Sequence, residues 1–256
     1  MTDISRERLK GATIFTRLDM RDGYHHLRIR EGDKKHTAFI TEYGLFEWTV
    51  ACFGLRNAPA EFARYMSNIL MEYLNEFVVV YFDDIVIFSK NESEHEEYVR
   101  RVLKKLREAK VNLKINKCEF GVKETNFLGH VVNGDSTKMQ EAKVQAILQW
   151  PSPKNLKQLE KFKGFAGYYR QYISHFSDII RRINEKLKQK EFTWTNQDEE
   201  VFQAVKDKFK GEQILGMFDF EEVTVHTDAS DYAIGAEISQ LDKQENGDQF
   251  YSTHDD

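Results

Sequence analysis

Residues 77–89 read FVVVYFDDIVIFS, two apolar, β-rich runs joined by two residues. β-Branched and aromatic side chains at this density favour strands, and so short a join reads as a hairpin with Asp83 and Asp84 at or beside its tip. Asp-Asp is a poor pair for such a turn. It supplies no glycine for positive φ, and adjacent carboxylates repel unless a cation sits between them. The bland alternative is an ordinary polar turn. A third carboxylate weighs against it, because ATIFTRLDMRDGY, residues 12–24, sets Asp19 at the end of another β-like run. Carboxylates on strand ends can share two Mg²⁺ ions, since magnesium takes oxygen donors and binds through a few carboxylates plus substrate phosphates. Such a pair can activate an attacking 3′-hydroxyl and stabilise a departing pyrophosphate. The same chemistry would serve nucleotide addition, a nuclease or a nucleotide cyclase.

Working outward, residues 1–135 alternate short β-rich runs with helical stretches, the pattern of an α+β domain. Residues 57–74 carry Phe62, Tyr65, Met66, Ile69, Leu70 and Tyr73 at helical spacing, with Asn57 and Pro59 suited to the start. A second helix is predicted over 93–110, acidic at its beginning and basic at its end, as the helix dipole favours. Residues 136–218 read as mostly helical, broken at Trp150-Pro151-Ser152-Pro153. There Phe165, Tyr168, Tyr169, Tyr172 and Phe176 form a stripe that fits core packing better than base stacking, with Lys161, Lys163 and Arg170 beside it for backbone contacts. From 219 to 256 the pattern returns to two or three short strands, too few to bury a core of their own.

The chain has 256 residues, 41% of them hydrophobic, enough for two domains rather than one. Its net charge of −5 argues against nucleic-acid binding until the distribution is considered. Residues 100–190 hold 21 Lys and Arg against 8 Asp and Glu, whereas residues 191–256 hold 4 against 17. A basic middle beside an acidic end suits phosphate contact in one stretch and metal collection in another, although solvated helix faces would give the same counts. The longest apolar runs are too short for a bilayer, and the first residues lack the apolar core of a secretory signal. An intracellular protein with no membrane partner is therefore expected. Cys52 and Cys118, far apart, read as buried thiols rather than a disulfide or metal site.

Four stretches taken together, FTRLDMRDGYHHLRI (15–29), FGLRNAPAEFARYM (53–66), YFDDIVIFS (81–89) and FLGHVV (127–132), resemble reverse transcriptases of gypsy-type long-terminal-repeat retrotransposons. The likeness continues through residues 143–179, similar to that family's thumb and connecting region. FTWTNQDEEVFQAVKDKF (192–209) and HTDASDYAIGAEISQ (226–240) look like the beginning of its ribonuclease H. The resemblance implies an α+β right-hand polymerase: a reverse transcriptase palm with partial fingers over 1–135, a helical thumb and connection over 136–218, and an N-terminal fragment of a ribonuclease H-like α/β domain over 219–256.

Carried over residue by residue, the resemblance makes Asp19, Asp83 and Asp84 the catalytic carboxylates, holding two Mg²⁺ ions or Mn²⁺ in their place. The backbone of Met20, Arg21 and Asp22 would face the triphosphate, Tyr24 would exclude a 2′-hydroxyl, and Phe53 and Gly54 would border the nucleotide. Leu128 and Gly129, flanked by Phe127 and His130, would form the turn that grips the primer end; His130 reads equally as a solvated turn residue or a phosphate contact. Lys117 falls near the place where relatives carry a lysine that could protonate pyrophosphate. Asp228 would be the first carboxylate of the ribonuclease H site. The implied partners are an RNA template, a DNA primer, deoxynucleoside triphosphates, an RNA–DNA hybrid and the remainder of a Pol polyprotein, in a cytoplasmic virus-like particle or the nucleus.

Two departures from the pattern stand out. The family's basic fingers segment before Asp19 is not in the sequence, and the remaining ribonuclease H carboxylates, carried through a third strand and an acidic helix, would follow QFYSTHDD. Ribonuclease H activity of this chain alone is not expected. The alternative function is a catalytically inactive retroelement remnant that only binds nucleic acid or protein.

Overall fold

The computed structural model describes residues 8–81, 84–173, 176–189, 191–210, 214–216, 224–229, 234–241 and 248–253. The chain divides into two units, Met1–Leu128 and Gly129–Asp256. In the first, β1 (Ile14–Asp19), β2 (Phe39–Thr41) and β3 (Gly44–Phe46) precede helix α1 (Ala58–Ile69). Strands β4 (Val78–Tyr81) and β5 (Asp84–Ser89), helix α2 (Glu92–Glu108), β6 (Glu119–Val122) and β7 (Thr125–Phe127) follow. Four of these strands form an antiparallel sheet in the order β4-β5-β1-β6, while β2 and β3 pair apart from it.

The central sheet follows from its apolar strands, and the helices from their faces and caps. Pro59 lies in the first turn of α1 and Asn91 caps α2, its side chain accepting the Glu94 amide at 3.0 Å. Helix α1 ends at Ile69 rather than at Leu74 as the periodicity predicts. The Tyr73 carbonyl accepts the amides of Phe77 and Val78, its ring stacks on Phe77 at 4.9 Å, and Asn75 at φ 71° turns the chain into β4. Leu18, Met20, Ile85 and Ile87 pack with Phe62 and Met66 of α1 and Val102 and Leu106 of α2. Each such fully buried side chain contributes about 1.5–3 kcal/mol. Side chains alternate along a strand, so Asp19 and Asp84 are turned to the other face of the sheet, away from the helices.

The second unit contains β8 (His130–Val132), β9 (Ser136–Met139), α3 (Glu141–Leu148), α4 (Leu156–Tyr168), α5 (Phe176–Leu187), α6 (Asn196–Asp207) and β10 (Ile214–Gly216). Strands β11 (Thr224–Ala229), β12 (Ile234–Leu241) and β13 (Asp248–Thr253) complete it. Strands β8, β9 and β10 pair antiparallel, as do β11, β12 and β13. Of the two or three short strands expected over 219–256 three are present, β13 covering most of QFYSTHDD. The break between α3 and α4 falls at the two prolines, and the linker is tied to α6: Lys206 donates to the Trp150 carbonyl at 2.9 Å and Ser152 to Glu199 at 3.0 Å. The aromatic stripe divides. Tyr169 and Tyr172 are buried in a core with Phe162 and Phe202, whereas Tyr168 is 51% exposed. Among the described residues no helix is long and apolar enough to cross a membrane.

Candidate active site

Asp19 ends β1 and Asp84 begins β5, and the two are register partners in the antiparallel ladder. Directly opposed residues share a face of the sheet, so both carboxylates project to the same side. Asp84 also pairs with Tyr81 across the β4–β5 hairpin, which places it inside the strand, beside the tip. Asp83 lies outside the described residues. Like charges opposed in this way repel, and nothing in the core requires them.

The segment after α2 runs alongside Asp19 and fixes it. The Lys114 amide donates to the Asp19 carbonyl at 2.9 Å, the Arg21 amide to the Asn112 carbonyl at 2.8 Å, and the Asp19 amide to Cys118 Sγ at 3.5 Å. Cys118 in turn donates to the Lys114 carbonyl at 3.3 Å. Both cysteines are half-buried rather than buried, and Cys118 has a positioning task that composition did not suggest. The Lys114 ammonium stands 3.6 Å from Asp19 Oδ1, an oxygen shielded from solvent with no hydrogen bond among the described residues. Lys117, expected as the proton donor, sits exposed in a short 3₁₀ turn, Ile115–Lys117. No spacing rule singles out Lys114, because its partner lies across the fold.

The expected nucleotide pocket comes together in part. Tyr24 lies edge-on to Phe53 and to Phe62, both at 5.6 Å between ring centroids. Phe53 is 80% exposed, and Gly54 at φ 96° occupies the left-handed region that glycine tolerates. Met20 is buried in the helix-side core, and the Arg21 amide is already committed to the Asn112 carbonyl and so is no donor for a triphosphate. Asp22, at φ 51°, leads into the 3₁₀ turn Gly23–His26 that carries Tyr24.

Leu128 and Gly129 have φ of 52° and 77°, two successive left-handed residues as in the tight turns of β-hairpins. Phe127 before them is buried. His130 is neither solvated nor open to a phosphate: it is 3% exposed, hydrogen-bonded through Nδ1 to the Tyr172 hydroxyl at 2.6 Å and stacked with Tyr168 and Tyr172. Tyr169 donates to the Gly129 carbonyl at 3.2 Å, and burial pushes its hydroxyl up to about 12, so that it stays a donor. Asp228 lies on β11 opposite Gly235 of β12.

An antiparallel sheet backed by two helices and carrying facing carboxylates at its strand ends is the palm of a nucleic-acid polymerase. The chain belongs to the reverse transcriptase family: residues 2–132 match the family described as "Reverse transcriptase (RNA-dependent DNA polymerase)". Residues 194–254 match "RNase H-like domain found in reverse transcriptase", beginning within the helical section. Among curated relatives, the retrovirus-related Pol polyprotein from transposon 297 of Drosophila melanogaster is 42% identical over 229 residues, 88% of this chain and 22% of the relative. The transposon Tf2-3 polyprotein of Schizosaccharomyces pombe is 38% identical over 236 residues, 91% of this chain and 18% of the relative. The chain thus spans about a fifth of the length of these relatives.

Two similar solved structures carry the same fold. One is the foamy viral protease-reverse transcriptase with an RNA/DNA hybrid, with TM-score 0.81 and 22% identity over 98% of this chain and 35% of that chain. The same protein with dsDNA gives TM-score 0.80 and 24% identity over 94% of this chain and 51% of that chain. Members of the family use divalent metal ions. The donors in this chain fit such an ion, since hard carboxylate oxygens face one another and Asp19 Oδ1 has no hydrogen bond among the described residues. Among the described residues no three His, Cys, Asp or Glu gather to hold an ion by themselves.

Proposed function

We propose that this chain is the polymerase region of a gypsy-type retroelement Pol polyprotein, adding deoxynucleotides to a DNA primer on an RNA template. The opposition of Asp19 and Asp84 at facing strand ends carries this reading. Asp19, Asp83 and Asp84 would hold two divalent cations, Mg²⁺ in the cell with Mn²⁺ able to replace it. Cations held by these carboxylates would supply charge compensation for an attacking primer 3′-hydroxyl and a departing pyrophosphate. Tyr24, braced by Phe53 and Phe62, closes the space a ribose 2′-hydroxyl would need, and Gly54 leaves room for the triphosphate at its border. The turn at Leu128 and Gly129 presents backbone to the primer end, and of the stretch 20–22 only Asp22 is retained as a triphosphate neighbour.

In the second unit, Lys157, Lys161, Gly164 and Tyr168 share one exposed face of α4, with open space over Gly164. Two ammonium groups, a small residue and an aromatic ring suit a nucleic-acid backbone and its groove. The domain reading is a palm with partial fingers over 1–135, a thumb and connection over 136–218 and the first part of a ribonuclease H-like domain from 219. Asp228 is that domain's first metal-binding carboxylate, and an RNA–DNA hybrid its substrate. The rest of the polyprotein would be the protein partner, within an intracellular particle or the nucleus.

Primer extension on an RNA template with Mg²⁺ tests the reading. The double variant Asp83→Asn/Asp84→Asn should abolish incorporation; extension that survives it refutes the site. The α4 face, built independently of the carboxylates, favours one second reading: a remnant that binds nucleic acid without extending it. That reading predicts salt-sensitive binding and no incorporation.

A further inference from the structure

We infer that Lys114 stands in for a divalent cation at Asp19 and competes with the metal for it, setting how tightly the carboxylates take up an ion. The inference rests on the reading of Asp19 as a metal ligand. Asp19 and Asp84 are opposed at the end of the β1–β5 ladder, where a second carboxylate raises the value of a positive charge beside Asp19. Asp19 Oδ1 is shielded from solvent and has no hydrogen bond among the described residues, a costly state for a carboxylate oxygen unless a cation covers it.

The Lys114 ammonium lies 3.6 Å from that oxygen. Its place is not an accident of a flexible side chain. The Lys114 amide donates to the Asp19 carbonyl at 2.9 Å, Leu113 bridges Met20, and Cys118 both accepts from the Asp19 amide and donates to the Lys114 carbonyl. The backbone of Lys114 is thereby pinned to that of Asp19, while the four-carbon stem leaves the charge free to move. Its side chain is 38% exposed, so it has water to swing into when a metal ion arrives.

Competition has a sign that scaffolding does not. If Lys114 only braced the loop, its replacement would loosen Asp19 and weaken ion binding. If it occupies the ion's place, losing its charge removes both a competitor and a repulsive neighbour, and binding tightens. A partly exposed ion pair limits the gain to about two- to fivefold in dissociation constant.

The test is a Mn²⁺ titration of the full chain without nucleic acid, with free ion read by electron paramagnetic resonance. Wild type, Lys114→Gln, Lys114→Met, Lys114→Arg and Asp19→Asn are compared, and circular dichroism confirms folding. The inference expects tighter binding in both neutral variants, near wild-type binding in Lys114→Arg, and loss of the ion in Asp19→Asn. Unchanged or weaker binding in folded Lys114→Gln and Lys114→Met, while Asp19→Asn still loses the ion, overturns the role of Lys114 alone. A wild-type chain that binds no ion, or binds it equally after Asp19→Asn, overturns the ligand assignment and this inference with it.

Discussion

Asp19 and Asp84 are residue-for-residue partners at the open end of the β1–β5 ladder, on the face of the sheet that the helices leave uncovered. Stability alone would not select this arrangement. Directly opposed like charges cost about 0.2–1 kcal/mol relative to neutral pairs. The Asp84→Asn variant should therefore melt slightly higher than wild type in chelator while losing primer extension by at least about a hundredfold. Thermal unfolding with and without Mg²⁺, beside an extension assay, checks both halves. Chelator should also stop extension by the wild type.

His95 of α2 is buried beneath the same sheet, with Nδ1 at 2.9 Å from Ser89 Oγ and Nε2 at 2.7 Å from Thr16 Oγ1. Ser89 spends its proton on the Asn91 carbonyl, so Nδ1 is the donor and Nε2 accepts from Thr16, which itself accepts the Gly121 amide. That network requires a neutral imidazole, and burial lowers its pKa below 6.5. The unfolded chain then takes up the proton first. The stabilisation is complete above about pH 6.5 and is lost as pH falls through the folded value, at up to about 1.4 kcal/mol per pH unit. Urea unfolding at pH 7.5 and 5.5 should show a smaller difference in His95→Gln than in wild type.

In the second unit, Asp198 is buried with Lys186 at 2.9 Å and caps α6 through Thr195, whose hydroxyl donates to it at 2.7 Å. Burial would raise its carboxyl, but the hydrogen bonds from Lys186 and Thr195 outweigh it and hold the group well below the usual carboxylate range. Its contribution is thus present above about pH 4 and is lost as pH falls toward the folded value. Lys186→Met, which removes one of two cations on the carboxylate and leaves Arg182 at 3.3 Å, should cost about 1.5–3 kcal/mol, and Thr195→Ala about 1 kcal/mol. Unfolding followed by tryptophan fluorescence would measure both.

A Cβ on Gly129 would meet the Tyr169 hydroxyl at 3.1 Å, in a backbone at φ 77°. Gly129→Ala should cost about 1–2 kcal/mol from the left-handed backbone, with a steric part added. Tyr169→Phe should relieve the steric part only, so the double variant should be less impaired than the two single effects summed. Stability and primer–template affinity are the readouts.

Lys157 and Lys161 lie on the exposed face of α4. Replacing both by Gln should weaken binding uniformly across sequences and flatten the dependence of log K on log salt by about 1.8. Fluorescence anisotropy over a salt series measures the slope. An unchanged slope would remove this face from the nucleic-acid interface.

Much of this was legible in the chain itself. The strands of 77–89, the capped helix after Asn91 and the break at Pro151 and Pro153 follow from local stereochemistry, which short stretches encode without help. Three carboxylates beside strand ends could be named as candidates for the same reason. Their surroundings could not. His130 reads locally as a solvated turn residue or a phosphate contact, and only the packing of three tyrosines makes it interior.

What the sequence determined by itself is the inventory: the β-hairpin, the helices and the acidic residues at the strand ends. The tertiary structure alone decided that Asp19 faces Asp84, that Lys114 rather than Lys117 stands beside it, and that Cys118, 99 residues away along the chain, holds its amide. Side-chain chemistry is a local property, but register and loop approach are set by burying one face of a sheet under two helices, and no local pattern records that choice.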